Sequence, residues 1–185
     1  MLTNVDIENL APKMNIPLAT CGFKDELPRT LEGNKYYCVN LEDEQDPDTK
    51  KSNDGSHWVG FQVRTFHNGK KPQAYYFDSY GKPPPTDIVN AIKRSFNVKP
   101  DYTDKDVQSM VADSCGWWQL AWAHFINDKR FVGDSLKADS ELFLEPFNDL
   151  NKVNDYHYNE WLLKHFFQSK DPSKRNPIPL PKTLS

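Results

Sequence analysis

Residues 112–125 read ADSCGWWQLAWAHF. Apolar and aromatic residues fill the stretch as a buried helix requires, yet it opens on a cysteine, a glycine and two tryptophans. Ala or Leu would serve a plain core helix better. Asp113 or Ser114 supplies an N-cap, so Cys115 falls in the first turn of that helix. There the helix dipole and the free backbone N–H groups favour a thiolate. Gly116 removes a side chain beside the sulfur and lets a substrate backbone approach closely. Free cysteine is also among the most buried residue types. Cys115 therefore reads either as a small core residue or as a nucleophile, and the second reading needs a base.

The remainder of the chain bounds where that base can come from. At 185 residues, with 37% hydrophobic and 26% charged residues, the chain suits one globular domain with an aromatic-rich core. We assign it to residues 1–170 and expect 171–185, with four prolines, to be an extended or disordered tail. No run approaches the roughly 18 apolar residues of a membrane span. The start MLTNVDIENL lacks a secretory pattern, and the internal KDEL at 24–27 is not a C-terminal retention signal. Cys21, Cys38 and Cys115 are widely spaced and odd in number, which indicates neither a disulfide framework nor a zinc site, and no cofactor is implied. A net charge of -3 gives no general reason to expect nucleic-acid binding.

Thr3 or Asn4 caps a helix over 3–14, and Lys35–Leu41 reads as a strand, followed by an acidic Asp/Asn/Gly-rich loop expected to be mobile. Cys21 is placed in a loop. SHWVGFQVRTF (56–66) and QAYYFDSYG (73–81) read as strands of a hairpin around Asn68-Gly69. Thr86 or Asp87 caps a helix whose apolar face carries Ile88, Val89 and Ile92, and a short strand leads into the Cys115 helix. Further helix is expected over 134–168, with Leu136, Leu142, Leu144, Phe147, Trp161, Leu162, Phe166 and Phe167 as core. The fold class is α+β: helices packed around a mostly antiparallel sheet.

Five histidines are candidate bases. His124, nine residues after Cys115, lies about 180° round the helix and faces away. His67 adjoins the hairpin turn, and His157 and His165 sit in the last helical region. His57 opens the first hairpin strand, beside a Gly55-Ser56 turn and next to Trp58. With Asn68-Gly69 as a two-residue loop, paired positions sum to 137, so His57 faces Tyr80 and Val59 faces Asp78. His57 and Asp78 then share a face as diagonal neighbours, roughly 7–8 Å apart between backbones. A carboxylate there holds the imidazole tautomer and stabilises its charged form. Asp78 also reads as a turn former in DSYG. Gln108, seven residues before Cys115, is placed to donate to an oxyanion together with the Cys115 N–H, or is a surface glutamine.

These segments resemble a known family. GSHWVGF, YYFDSYGKPPP and VQSMVADSCGWWQLAWAHF together are similar to the adenain-type cysteine proteases, and FKDELPR looks like the start of their Polinton and virophage branch. The resemblance spans roughly residues 3–130 and lies in the order His, acid, Gln, Cys; SUMO-deconjugating proteases share it more distantly. It implies His57 as general base, Asp78 as orienting acid, Gln108 as oxyanion donor and Cys115 as nucleophile, on a helix set against the sheet. The acid is Asp, as is usual in the SUMO branch, where the adenovirus enzymes carry Glu. The implied activity is that of a viral maturation endopeptidase acting on capsid or other virion precursors beside small residues such as Gly, in the virion and infected-cell cytoplasm. Trp58 and Trp117, with Gly116, would wall a narrow substrate channel, or the two tryptophans are core. The adenovirus enzymes take a viral peptide and DNA as activators. An activating peptide remains open here, though no cysteine matches the one that binds it, and the acidic balance disfavours DNA.

Three other readings compete. A ubiquitin- or SUMO-type deconjugase would apply the same chemistry to a Gly-Gly tail. A related acetyltransferase clan reuses the His-acid-Cys set, and a non-catalytic scaffold would leave Cys115 inert. Papain-like order is excluded, because it needs His and Asn about 130–150 residues after Cys and only 70 residues follow Cys115.

Overall fold

The computed structural model describes residues 1–42, 48 and 57–167. The expectations for the acidic loop, the Gly55-Ser56 turn and the 171–185 tail lie outside these, apart from Asp48. Among the described residues five α-helices surround a five-stranded sheet, an α+β arrangement. The chain opens with α1 (Asn4–Lys13), where the Thr3 hydroxyl accepts from the Asp6 N–H and the Asp6 carboxylate accepts from the Thr3 N–H. That reciprocal capping box satisfies two donors a helix start leaves open.

Next come β1 (Leu18–Phe23), β2 (Tyr36–Asn40), β3 (Trp58–Arg64), β4 (Gln73–Phe77), α2 (Thr86–Phe96) and β5 (Pro100–Tyr102). The strands lie in chain order. The sheet is mixed: β2–β3 and β3–β4 are antiparallel as expected, and β1–β2 and β4–β5 are parallel. The reason is connection length, since parallel neighbours need a long crossover. Residues 24–35 return the chain from β1 to β2, and α2 returns it from β4 to β5. Cys21 is accordingly not in a loop but in β1, opposite Cys38. At α2 the N-cap is Pro85 rather than Thr86 or Asp87 and makes no side-chain cap bond. Proline's fixed φ preorganises the entry without one.

The last elements are α3 (Cys115–Asn127), α4 (Leu136–Leu144) and α5 (Tyr156–Phe167). Strand alternation divides the core between the two sheet faces. Tyr37, Val39, Val59, Phe61 and Tyr76 meet Ile88 and Ile92 of α2 on one face. Tyr36, Cys38, Tyr75 and Phe77 meet α3 on the other, where Trp118 and Trp122 are wholly buried. Leu136, Leu144, Phe147, Leu162 and Phe166 join that core as expected, and Phe167 packs against it partly buried. Leu142 and Trp161 do not; both are exposed. Arg64 ties β3 to this layer, donating to buried Asp139 at 2.8 Å and to the Ile126 carbonyl at the end of α3.

Candidate active site

His57 directly precedes β3 and Asp78 directly follows β4. The β3–β4 register pairs Gly60 with Phe77 and Arg64 with Gln73, the expected sum of 137. The loop is longer than two residues, since the ladder stops at Arg64, yet its parity is unchanged and Gly69 takes the positive φ of 75° that the turn needs. Beyond the ladder His57 Nε2 lies 2.7 Å from Asp78 Oδ1, and both residues are buried. The same oxygen accepts from the Tyr80 N–H at 2.8 Å, and the Asp78 carbonyl accepts from the Gly81 N–H. Asp78 is thus both the turn former and the partner of His57.

Cys115 is the first residue of α3, with Ser114 at the N-cap. The Ser114 hydroxyl donates to Glu160 instead of capping the helix, so it does not compete for the first-turn N–H groups. Cys115 is close enough to the His57 ring to favour its charged form. Nε2 is committed to Asp78, which leaves the buried Nδ1 as the nitrogen available to it; Nδ1 has no regular hydrogen-bond partner among the described residues. Burial opposes charge on the imidazole. Hydrogen bonding and charge from Asp78 and Cys115 outweigh it and raise the His57 pKa to about 9. The imidazole is therefore charged at neutral pH, bonded to the Asp78 carboxylate.

Gln108 is no surface residue; it is fully buried. Its Oε1 accepts from the Ser79 hydroxyl at 2.6 Å, and its Nε2 donates to the Ala112 carbonyl at 2.9 Å. The Ser79 carbonyl accepts from the N–H groups of Val107 and Gln108. A primary amide carries two N–H donors, so one remains beyond the Ala112 bond. The Asp78-Ser79 dipeptide therefore orients the imidazole with its first residue and the Gln108 amide with its second.

The channel residues are placed differently from one another. Trp58 is buried in the core, and its indole N–H donates to the Leu2 carbonyl at 2.9 Å. A Cβ on Gly116 would come within 3.0 Å of the Leu2 side chain, so the space beside Cys115 is occupied by the chain's own Leu2. Trp117 is half-buried and turns to α5, edge-on to Phe167, in an open apolar groove of about 500 Å³ with Trp161 and Leu163. Cys115 itself is only 1% exposed.

No family model and no curated protein matches the chain.

The other histidines stay away from this cluster. His124 Nδ1 bonds the Met14 carbonyl, while His67, His157 and His165 are exposed. Among the described residues no three His, Cys, Asp or Glu side chains gather as metal ligands, and no helix is long and apolar enough to cross a membrane. Leu2 and Ser79 were not legible in the sequence, whereas the hairpin pairing had already set Tyr80 opposite His57, whose ring it stacks on.

Proposed function

We propose that this chain is an adenain-type cysteine endopeptidase that matures virion precursor proteins, with Cys115, His57 and Asp78 as its triad. The observation that carries the reading is one buried imidazole bonded to a buried carboxylate, its charged form further favoured by the cysteine at a helix start. His57 takes the thiol proton. The Cys115 sulfur attacks the scissile carbonyl carbon, and the C=O electron pair moves onto oxygen. The Cys115 N–H and the second Gln108 N–H stabilise that oxyanion. Collapse breaks the C–N bond as His57 gives its proton to the leaving amine. Neutral His57 then takes a proton from the water that attacks the thioester, and a second collapse frees the acid and restores the thiolate–imidazolium pair. The resemblance supplies the substrate class, virion precursors cut beside small residues such as Gly; the site geometry supplies the chemistry.

The test is incubation with Gly-containing capsid-precursor fragments and mass-spectrometric mapping of new termini, beside a ubiquitin-like probe ending in Gly-Gly. Cleavage of the precursor that disappears in Cys115→Ala is expected. Turnover of the Gly-Gly probe alone would favour a deconjugase, for which Asp as the acid is the relevant feature. Cleavage that survives in Cys115→Ala would overturn the reading.

A further inference from the structure

We infer that Gln119 is a positioning residue for the Cys115–His57 pair, an amide that locks the nucleophile's helix to the two strand ends carrying the base and the acid. The inference rests on the thiol-protease reading above. Gln119 lies four residues after Cys115, hence on the same face of α3. It is fully buried in the layer between α3 and the sheet. Its Nε2 donates to the Phe77 carbonyl at 2.9 Å and more weakly to the Trp58 carbonyl at 3.5 Å. Its Oε1 accepts from the Tyr36 hydroxyl at 2.9 Å.

The identity of those carbonyls gives the contact its meaning. Phe77 immediately precedes Asp78, and Trp58 immediately follows His57. One side chain therefore spans the backbones of base and acid within a residue of each, from a helix position one turn past the sulfur. The sheet leaves room for it at Gly60, where a Cβ would sit 2.3 Å from the Gln119 oxygen and 2.6 Å from the Tyr36 ring. Burying an amide is costly unless it is satisfied, and a Leu would fill the same core place without that demand. The bonds of Gln119 fix α3 along and across the sheet, which apolar contact alone does only loosely.

The test substitutes Gln119→Met, which keeps length and removes all three bonds, with Tyr36→Phe as the control that loses only the bond on the far side of the amide. Cys115 alkylation by iodoacetamide is followed from pH 5 to 9 by peptide mapping, and kcat and KM are measured on a cleaved peptide. Gln119→Met should slow Cys115 alkylation about 10-fold near pH 7 and lower kcat by a like factor with KM held, the scale of a small misplacement of reacting groups. Tyr36→Phe should keep the parent's profile. Gln119→Glu, whose neutral carboxyl retains one donor and one acceptor, should approach the parent at pH 5 and fall behind it at pH 8. A folded Gln119→Met protein with the parent's alkylation profile would overturn the inference, as would a folded Gln119→Glu protein with no pH-dependent deficit. Alkylation needs no peptide substrate, so a reactive Cys115 in a parent that cleaves nothing would sink the protease reading while the positioning result stands. An unreactive Cys115 in the parent would remove both.

Discussion

The rings of His57 and Tyr80 stack with centroids 4.2 Å apart and planes 15° from parallel. Tyr80 thereby covers one face of the imidazole, while its backbone N–H holds the Asp78 oxygen that the imidazole also uses. Burial, then the charges of Cys115 and Asp78, raise the pKa of its phenol, as expected of a ring set against the thiol and the acid together. Tyr80→Phe keeps the stack and the backbone bond and should leave Cys115 reactivity within about two-fold of the parent. Tyr80→Ala removes the stack, worth about 0.5–1.5 kcal/mol for an aromatic pair. It should slow alkylation at Cys115 by several-fold in a peptide-mapped rate measurement; equal rates in Tyr80→Ala and parent would show the ring to be inert.

The raised pKa of His57 has a definite sign. A folded-state value of about 9 against an ordinary 6.5 means the folded protein holds the proton more tightly. The resulting stability is complete below pH 6.5 and is lost as pH rises through about 9. Asp78→Asn removes the carboxylate that bonds Nε2, so His57 should lose its proton at lower pH. We expect the alkaline limb of kcat/KM to lie near pH 9 in the parent and to move down in Asp78→Asn. The decline of Tm between pH 6.5 and 9 should also shrink in the variant. Parallel Tm curves for the two proteins across that range would contradict the assignment.

Ser79 orients Gln108 through a 2.6 Å hydrogen bond between two buried side chains. Gln108→Ala removes the donor and should lower kcat about 10²–10³-fold, the usual cost of one oxyanion donor. Ser79→Ala leaves the donor present but free to turn and should cost about 10-fold. Neither should alter alkylation of Cys115, because that reaction forms no oxyanion. The double variant should be no slower than Gln108→Ala alone; additive losses would mean that Ser79 acts elsewhere.

Leu2 lies against Gly116 and gives its carbonyl to Trp58, while Cys115 is almost wholly covered. The ion pair from the Met1 ammonium to Asp113 is exposed and adds little. Leu2→Gly should therefore uncover the thiol, raising its alkylation rate and lowering KM for a peptide. An unchanged rate would place the cover with other residues.

The hairpin register was legible because parity alone decides it. Asn68-Gly69 set the pairing sum, and a ladder that ends early at Arg64 and Gln73 keeps that sum. His57 and Asp78 followed from it, and Cys115 from its place at a helix start. The register of β1 was not legible: LATCGF has little alternation, and its strand character comes from parallel pairing with β2, a contact distant in sequence. Trp161 misled because its size suggested core, whereas it is 60% exposed on α5. Leu2, Ser79 and Gln119 carry no local signature. Their roles exist only once α3 and the chain's first residues are set against the ends of β3 and β4.

The most direct measurement of the central claim is the alkylation rate of each thiol, resolved by peptide, in the parent and in His57→Ala near neutral pH. Cys38 is buried in β2, and the Cys38 hydrogen bond, with burial, raises the pKa of Cys21. Among the described residues neither has an imidazole partner. Cys115 should react first, ahead of an ordinary cysteine of pKa about 8.5, and His57→Ala should slow it while leaving Cys21 and Cys38 unchanged. A Cys115 that reacts no faster than the other two, or that ignores the loss of His57, would contradict the account.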